Sequence, residues 1–178
     1  MRGLSPAANC RMLLLMKRFD KKELSLAPSA LFVTGARVRF QDVDAAGIVF
    51  FARFFDYVHE AYEAFLTHIQ LPLPQLLRDG KWAAPLRHAE ADYFRPLNYG
   101  DLLSVRLVKV EVEASEISFG WSIFCAPGPE AQAGAGADAA VGEPYCAAVV
   151  QTAHIFVNRK TFERTKIPEE IVRKVSFS

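Results

Sequence analysis

Asp42, Asp44 and Gly47 lie in the stretch FQDVDAAGIVFF, immediately ahead of a run with helical periodicity. The start of a helix carries backbone N–H groups with no intrahelical acceptor, together with the positive end of the helix dipole. A carboxylate fixed beside such donors can act as a base or a nucleophile while the donors polarise a carbonyl. A fixed anionic group beside polarising donors is a place for chemistry. The plainer alternative is that the aspartates only form the turn and cap the helix, a position in which Asp is favoured. A calcium loop is excluded, because DVDAAG has no ligand at Ala46 and Arg53 stands where a bidentate Glu belongs.

The element that must position this turn is the helix after it. Phe51, Phe54, Phe55, Val58, Ala61, Tyr62, Phe65, Leu66 and Ile69 fall within an arc of roughly 140° on a helical wheel. Arg53, Asp56, Glu60, Glu63 and Thr67 cluster opposite, which predicts an amphipathic helix about five turns long. Ahead of the turn, alternation over Ala36–Asp42 predicts a half-buried strand. Pro72, Pro74 and Asp79-Gly80 break the chain into a loop with one short helical turn. Four strands follow, over Ala84–Phe94, Leu102–Glu113, Glu116–Cys125 and Cys146–Val157, and Pro168 opens a short terminal helix. One strand, a long helix, then a run of strands predicts an α+β fold with a curved five-stranded antiparallel sheet wrapped around the central helix. Its two edges favour pairing between subunits.

With 178 residues, 51% of them apolar, the chain suffices for one core. Residues 1–34 have mixed charge and no sustained period, which predicts a loosely ordered arm before a single domain over 35–178. Within that domain, the Gly, Ala and Pro of 126–144 predict a flexible insert at a hairpin tip. Lys and Arg total 21 against 20 Asp and Glu, so no global field selects nucleic acid or a membrane surface. No apolar run reaches the roughly 18 residues of a membrane span. Cys10, Cys125 and Cys146 are odd in number and lack CxxC spacing, which argues against a disulfide framework or a zinc site and for a reducing cytoplasm. The first nineteen residues hold four basic groups and no acid before Asp20; an extended bacterial N-terminus is preferred here to an organelle transit peptide.

The sequence VRFQDVDAAGIVFFARFFDYVHEAYEAFL resembles the hot-dog thioesterases of the 4-hydroxybenzoyl-CoA thioesterase-like family, whose signature is an Asp-x-Asp-x-x-Gly turn leading into the central helix. HEAYE at 59–63, APLRHAEADYFRP and YGDLL resemble the 1,4-dihydroxy-2-naphthoyl-CoA branch, and the likeness runs from about Val38 to Pro168. It implies a hot-dog fold, hydrolysis of an acyl-CoA with an aromatic acyl group, no cofactor or metal, and active sites between subunits of a homodimer or homotetramer. It also implies that Asp44 is the catalytic carboxylate and that the Phe51 N–H polarises the thioester carbonyl. Gly47, the glycine of that turn, is expected among the substrate-binding residues. Relatives that hold CoA phosphates with basic residues between the third and fourth strands differ here, where Glu113, Ala114, Ser115 and Glu116 stand instead.

Phe54, Phe55 and His88 are the expected walls of the acyl pocket. Arg159 and Lys160, in a basic segment that runs on to Lys166, are either CoA-phosphate contacts or a solvated tail. His59 and Glu60 read as a solvated face or subunit contact, and Tyr57 and Tyr62 as core or interface. A non-catalytic acyl-binding protein of the same fold, a dehydratase, and a thioesterase for aliphatic or carrier-protein thioesters are the competing readings.

Overall fold

The β-branched and aromatic residues between Phe32 and Ile155 build the sheet. The computed structural model describes residues 18–126 and 143–176. In chain order the elements are α1 (Lys21–Ser25), β1 (Phe32–Arg37), α2 (Arg53–His68), α3 (Leu73–Asp79), β2 (Trp82–Ala83), β3 (Leu86–Tyr93), β4 (Leu102–Val112), β5 (Glu116–Ala126), β6 (Tyr145–Ile155), β7 (Val157–Asn158) and α4 (Glu169–Ser176). Five strands pair antiparallel in the order β1-β4-β5-β6-β3, and β2 pairs with β7 beside them. Register shifts at Leu107/Lys109, Ile123/Phe124 and Leu86/His88 mark the irregularities that bend strands and increase their twist.

Alternation decides which side chains meet the central helix. Leu103, Val105 and Leu107 of β4, Ile117, Phe119, Trp121 and Ile123 of β5, and Ala148 and Val150 of β6 share one core with Val58, Ala61 and Phe65 of α2. The apolar stripe read from the sequence holds from Phe54 onward, with Tyr57 buried as well. Phe51 departs from it. It precedes the helix and is 59% exposed, because the chain is still turning there: Arg53 N–H donates to the Phe50 carbonyl at 2.8 Å.

The first strand also differs from expectation. It covers Phe32–Arg37, and the chain then makes a short 3-10 turn over Phe40–Asp42, leaving Phe40 exposed and Val38 buried. Residues 18–34, expected in a loose arm, pack instead. Asp20 caps α1 by accepting the Lys22 and Glu23 N–H groups at 2.7 and 3.1 Å, while Phe19 and Leu24 bury against Val149 on the outer sheet face. Burying Leu24 contributes about 2 kcal/mol. Gln151 fixes the segment by accepting from Phe19 N–H at 2.8 Å and donating to its carbonyl at 3.2 Å. The approach needs a glycine below it, since a Cβ on Gly120 would stand 2.6 Å from Leu24 Cδ2 and 2.8 Å from Phe19 Cδ2. The rest of the arm, 1–17, lies outside the described residues, as does nearly all of the expected insert, 127–142.

Cys125 and Cys146 are both free thiols. Among the described residues no helix is long and apolar enough to cross a membrane.

Candidate active site

The acidic turn is a small hairpin. Val43 bridges Val49, Asp44 N–H donates to the Ile48 carbonyl at 2.9 Å, and Gly47 N–H donates back to the Asp44 carbonyl at 2.9 Å. Gly47 has φ +80°, a left-handed conformation that a side chain would strain. The Asp44 carboxylate is exposed and accepts the Ala46 N–H at 2.8 Å, so one oxygen steadies the loop and the group remains open to solvent.

The returning arm of this hairpin leads into α2. Phe50 N–H donates to the Asp42 carbonyl at 2.9 Å and Val49 N–H to the Leu97 carbonyl at 2.9 Å. The N–H groups of Phe51 and Ala52 meet no acceptor among the described residues, whereas the Phe51 carbonyl accepts the Tyr93 hydroxyl at 3.1 Å. The hairpin thus sets a solvent-facing carboxylate and an open N–H at the head of one helix, where the dipole favours negative charge.

Asp42 is of another kind. It is 1% exposed, and its Oδ2 accepts from Arg39 N–H at 2.9 Å, Tyr57 hydroxyl at 3.0 Å and Arg39 Nε at 3.2 Å. Oδ1 is sealed without a hydrogen bond, with Arg53 Nε 4.0 Å away. Burial pushes the Asp42 pKa up, but these hydrogen bonds and the Arg39 charge outweigh it, so the group is held below the ordinary carboxyl value. Burial, and after it the hydrogen bond to this same carboxylate, raises the Tyr57 phenol. Asp42 joins the turn to α2 through its side chain and to Phe50 through its carbonyl.

Four residues after Phe51, inside α2, Phe55 lines a cavity of about 560 Å³. This cavity is lined by α2, α3, β2 and α4 and by the ends of β3, β5 and β6; Phe55, His59, Tyr62, Leu76, Phe119 and His154 are among its walls. Asp44, Gly47 and Phe51 do not line it. Of the expected pocket walls Phe55 alone is present. Phe54 is buried in the core, edge-on to Tyr93 at 4.9 Å. His88 lies elsewhere: Ala89 of β3 reaches the cavity, so the neighbouring His88 takes the opposite sheet face, where its Nε2 is 3.3 Å from Glu90 and Glu90 pairs with Arg18 at 3.0 Å. Arg159 reaches the cavity and donates to the Leu77 carbonyl. Lys160 sits in the adjoining turn, its N–H on Asn158 Oδ1 at 2.9 Å.

His59, Tyr62 and His154 line the cavity without being among the residues the sequence marks for it. The signal for His154 was present in β6, where Ala148, Val150, Thr152 and His154 alternate onto the helix-facing side. Among the described residues no group of three or more His, Cys, Asp or Glu is placed to hold a metal ion.

Residues 38–175 match the thioesterase-like superfamily. A 1,4-dihydroxy-2-naphthoyl-CoA hydrolase of Rippkaea orientalis is 31% identical over 137 residues, 76% of this chain and 88% of that protein. The crystal structure of a 1,4-dihydroxy-2-naphthoyl-CoA thioesterase from Synechocystis superposes with a TM-score of 0.67 at 27% identity, covering 82% of this chain and 95% of the other. A 4-hydroxybenzoyl-CoA thioesterase shares the fold, with a TM-score of 0.66 at 15% identity over 80% of this chain and 96% of that one. The helix-in-sheet architecture is therefore the hot-dog fold, and the chain belongs to the thioesterase-like superfamily.

Proposed function

We propose that this chain hydrolyses an aromatic acyl-CoA thioester, with 1,4-dihydroxy-2-naphthoyl-CoA as the leading substrate and hydroxybenzoyl-CoA in the same class. The observation that carries the proposal is the exposed Asp44 carboxylate and the open Phe51 N–H on one turn ahead of α2, four residues before Phe55, which lines a largely apolar cavity of about 560 Å³. That volume lies within the range of pockets that enclose small organic ligands. The similarity to 1,4-dihydroxy-2-naphthoyl-CoA hydrolases supports the same reading.

In this reading the thioester carbonyl oxygen takes the Phe51 N–H, and the aryl group runs along α2 past Phe55 into the cavity. Negative charge that builds on the oxygen as the carbonyl is attacked is stabilised by the N–H and the helix dipole. Asp44 serves in one of two ways. As a base it takes a proton from the attacking water; as a nucleophile it forms an acyl anhydride that water then opens. Either route breaks the C–S bond, releases CoA as the thiol and adds one water to give the free acid. No metal or organic cofactor enters either route. Arg159, which lines the cavity, and its neighbour Lys160 are the cationic groups assigned to the CoA phosphates in this reading.

The assembly is a homodimer or homotetramer in this proposal. Phe40, Phe50, Phe51 and Tyr99 are exposed around the turn, an aromatic surface that a second copy would cover. Free thiols fit a cytoplasmic enzyme. A hydrolysis screen over dihydroxynaphthoyl-, hydroxybenzoyl-, benzoyl- and straight-chain acyl-CoAs, with carrier-protein thioesters included, tests the substrate. The expected kcat/KM for the dihydroxynaphthoyl thioester exceeds the straight-chain values by at least about tenfold; the reverse order overturns the aromatic assignment. Sedimentation of a fully active monomer would remove the shared-site arrangement.

A further inference from the structure

Two polar atoms of residues that line the cavity have no hydrogen-bond partner among the described residues. His154 is 8% exposed, and its Nδ1 lies 3.2 Å from the Ala84 carbonyl oxygen. A carbonyl only accepts, so Nδ1 carries the proton and Nε2 is left with a free lone pair. Burial, reinforced by His59 and opposed by the Ala84 bond, pushes the imidazole pKa down, which keeps that lone pair available at neutral pH. Tyr62 stacks on the imidazole with centroids 4.7 Å apart and planes 15° from parallel. Burial pushes its phenol up to about 12, so it retains its proton.

Neither His154 Nε2 nor the Tyr62 hydroxyl has a hydrogen-bond partner among the described residues. Neither is sealed, because the buried side-chain atoms lacking a partner are Asp42 Oδ1 and Ser122 Oγ. Both therefore face space that a ligand can reach, and both residues line the cavity. Nε2 accepts and the Tyr62 hydroxyl donates, and the stacked rings that carry them, both lining the cavity, match a hydroxyl on a flat ligand. The ligand O–H donates to Nε2, and the Tyr62 O–H donates to the ligand oxygen.

We propose that His154 and Tyr62 read a ring hydroxyl of the acyl group, so that the cavity prefers hydroxyaryl to unsubstituted aryl acyl groups. This rests on the placement of the acyl group in the cavity under the proposed function. A site built to hydrogen-bond a substrate hydroxyl rejects the analogue that lacks it, because its own polar groups are then left unpaired.

The test measures equilibrium binding of 1,4-dihydroxy-2-naphthoate and 2-naphthoate to the full chain, and kcat/KM for the two corresponding CoA thioesters, in wild type, Tyr62→Phe and His154→Phe. Both substitutions keep an aromatic ring and remove the polar atom. The wild type is expected to favour the dihydroxy compound, and each substitution to cut that preference by about fivefold. Should His154→Phe fail to fold without its Ala84 bond, Tyr62→Phe alone decides. A preference unchanged in the folded variants, or equal or absent binding of the two acids by the wild type, overturns the proposal. Acids bound with a preference that depends on these residues, but thioesters left intact, would uphold the hydroxyl reader and remove the hydrolase. Thioesters hydrolysed with an unaltered preference would do the opposite.

Discussion

Asp42 and Asp44 are two residues apart and occupy opposite surroundings. Three donors converge on Asp42 inside the protein, whereas Asp44 faces solvent and engages a single N–H of its own loop. Residue type is the same, so the contrast comes from the backbone. Asp42 ends a 3-10 turn and its side chain meets Tyr57 of α2, and Asp44 opens the hairpin that follows at an exposed position. The buried carboxylate is committed to holding the turn against the helix. The exposed one retains the freedom to accept a proton or attack a carbon, and the first makes the second's position reproducible.

The largest effect on stability is expected from Asp42→Asn. An amide cannot accept charge-assisted hydrogen bonds from all three donors, and its own NH₂ meets no new acceptor, so unfolding free energy should drop by about 2 kcal/mol. Denaturant titration checks it, and a neutral result would break the contrast by showing the network to be dispensable. Activity should fall as well, because Phe50 and the helix start are tied to this residue.

Next comes the acid limb of stability. The Asp42 carboxyl is held below its ordinary value near 3.8, so the unfolded chain binds its proton at higher pH than the folded one. Its contribution is fully present above the unfolded value and is lost as pH falls through the lowered folded value. Asp42→Asn should flatten this limb relative to wild type in thermal melts taken from about pH 5 down to about pH 2. Tyr57→Phe removes one donor and keeps the ring; a loss of about 1 kcal/mol is expected, smaller than that of Asp42→Asn. Asp44→Asn should change stability least, within about 0.5 kcal/mol, because an amide oxygen can still accept the Ala46 N–H.

Much of this was legible in the sequence, and the reasons differ by region. The α2 stripe and strands β3 to β6 follow from periodicity, which depends on neighbours in the chain. The start of α2 was placed early because Phe51 fits the stripe by spacing, although the chain is still turning there. Residues 18–34 escaped because Phe19 and Leu24 are two apolar anchors among charges, and their docking depends on the bare backbone at Gly120, about a hundred residues away. The cavity escaped for the same reason: α3, α4 and the end of β6 meet only in three dimensions. His88 looked like a pocket residue because its neighbours resemble a family pattern, but strand alternation turns it to the other face.

Asp42 and Asp44 could be told apart by family resemblance and not by physical pattern, so the central claim rests on separating them by function. The direct measurement is hydrolysis of 1,4-dihydroxy-2-naphthoyl-CoA by Asp44→Asn, with its folded state confirmed by an unchanged melt. The account predicts that kcat falls at least about a hundredfold, since the amide can neither take a proton from water nor attack the thioester. Near-normal turnover by a folded Asp44→Asn would contradict it and move the search for the catalytic group to Glu60 or Glu63 on α2.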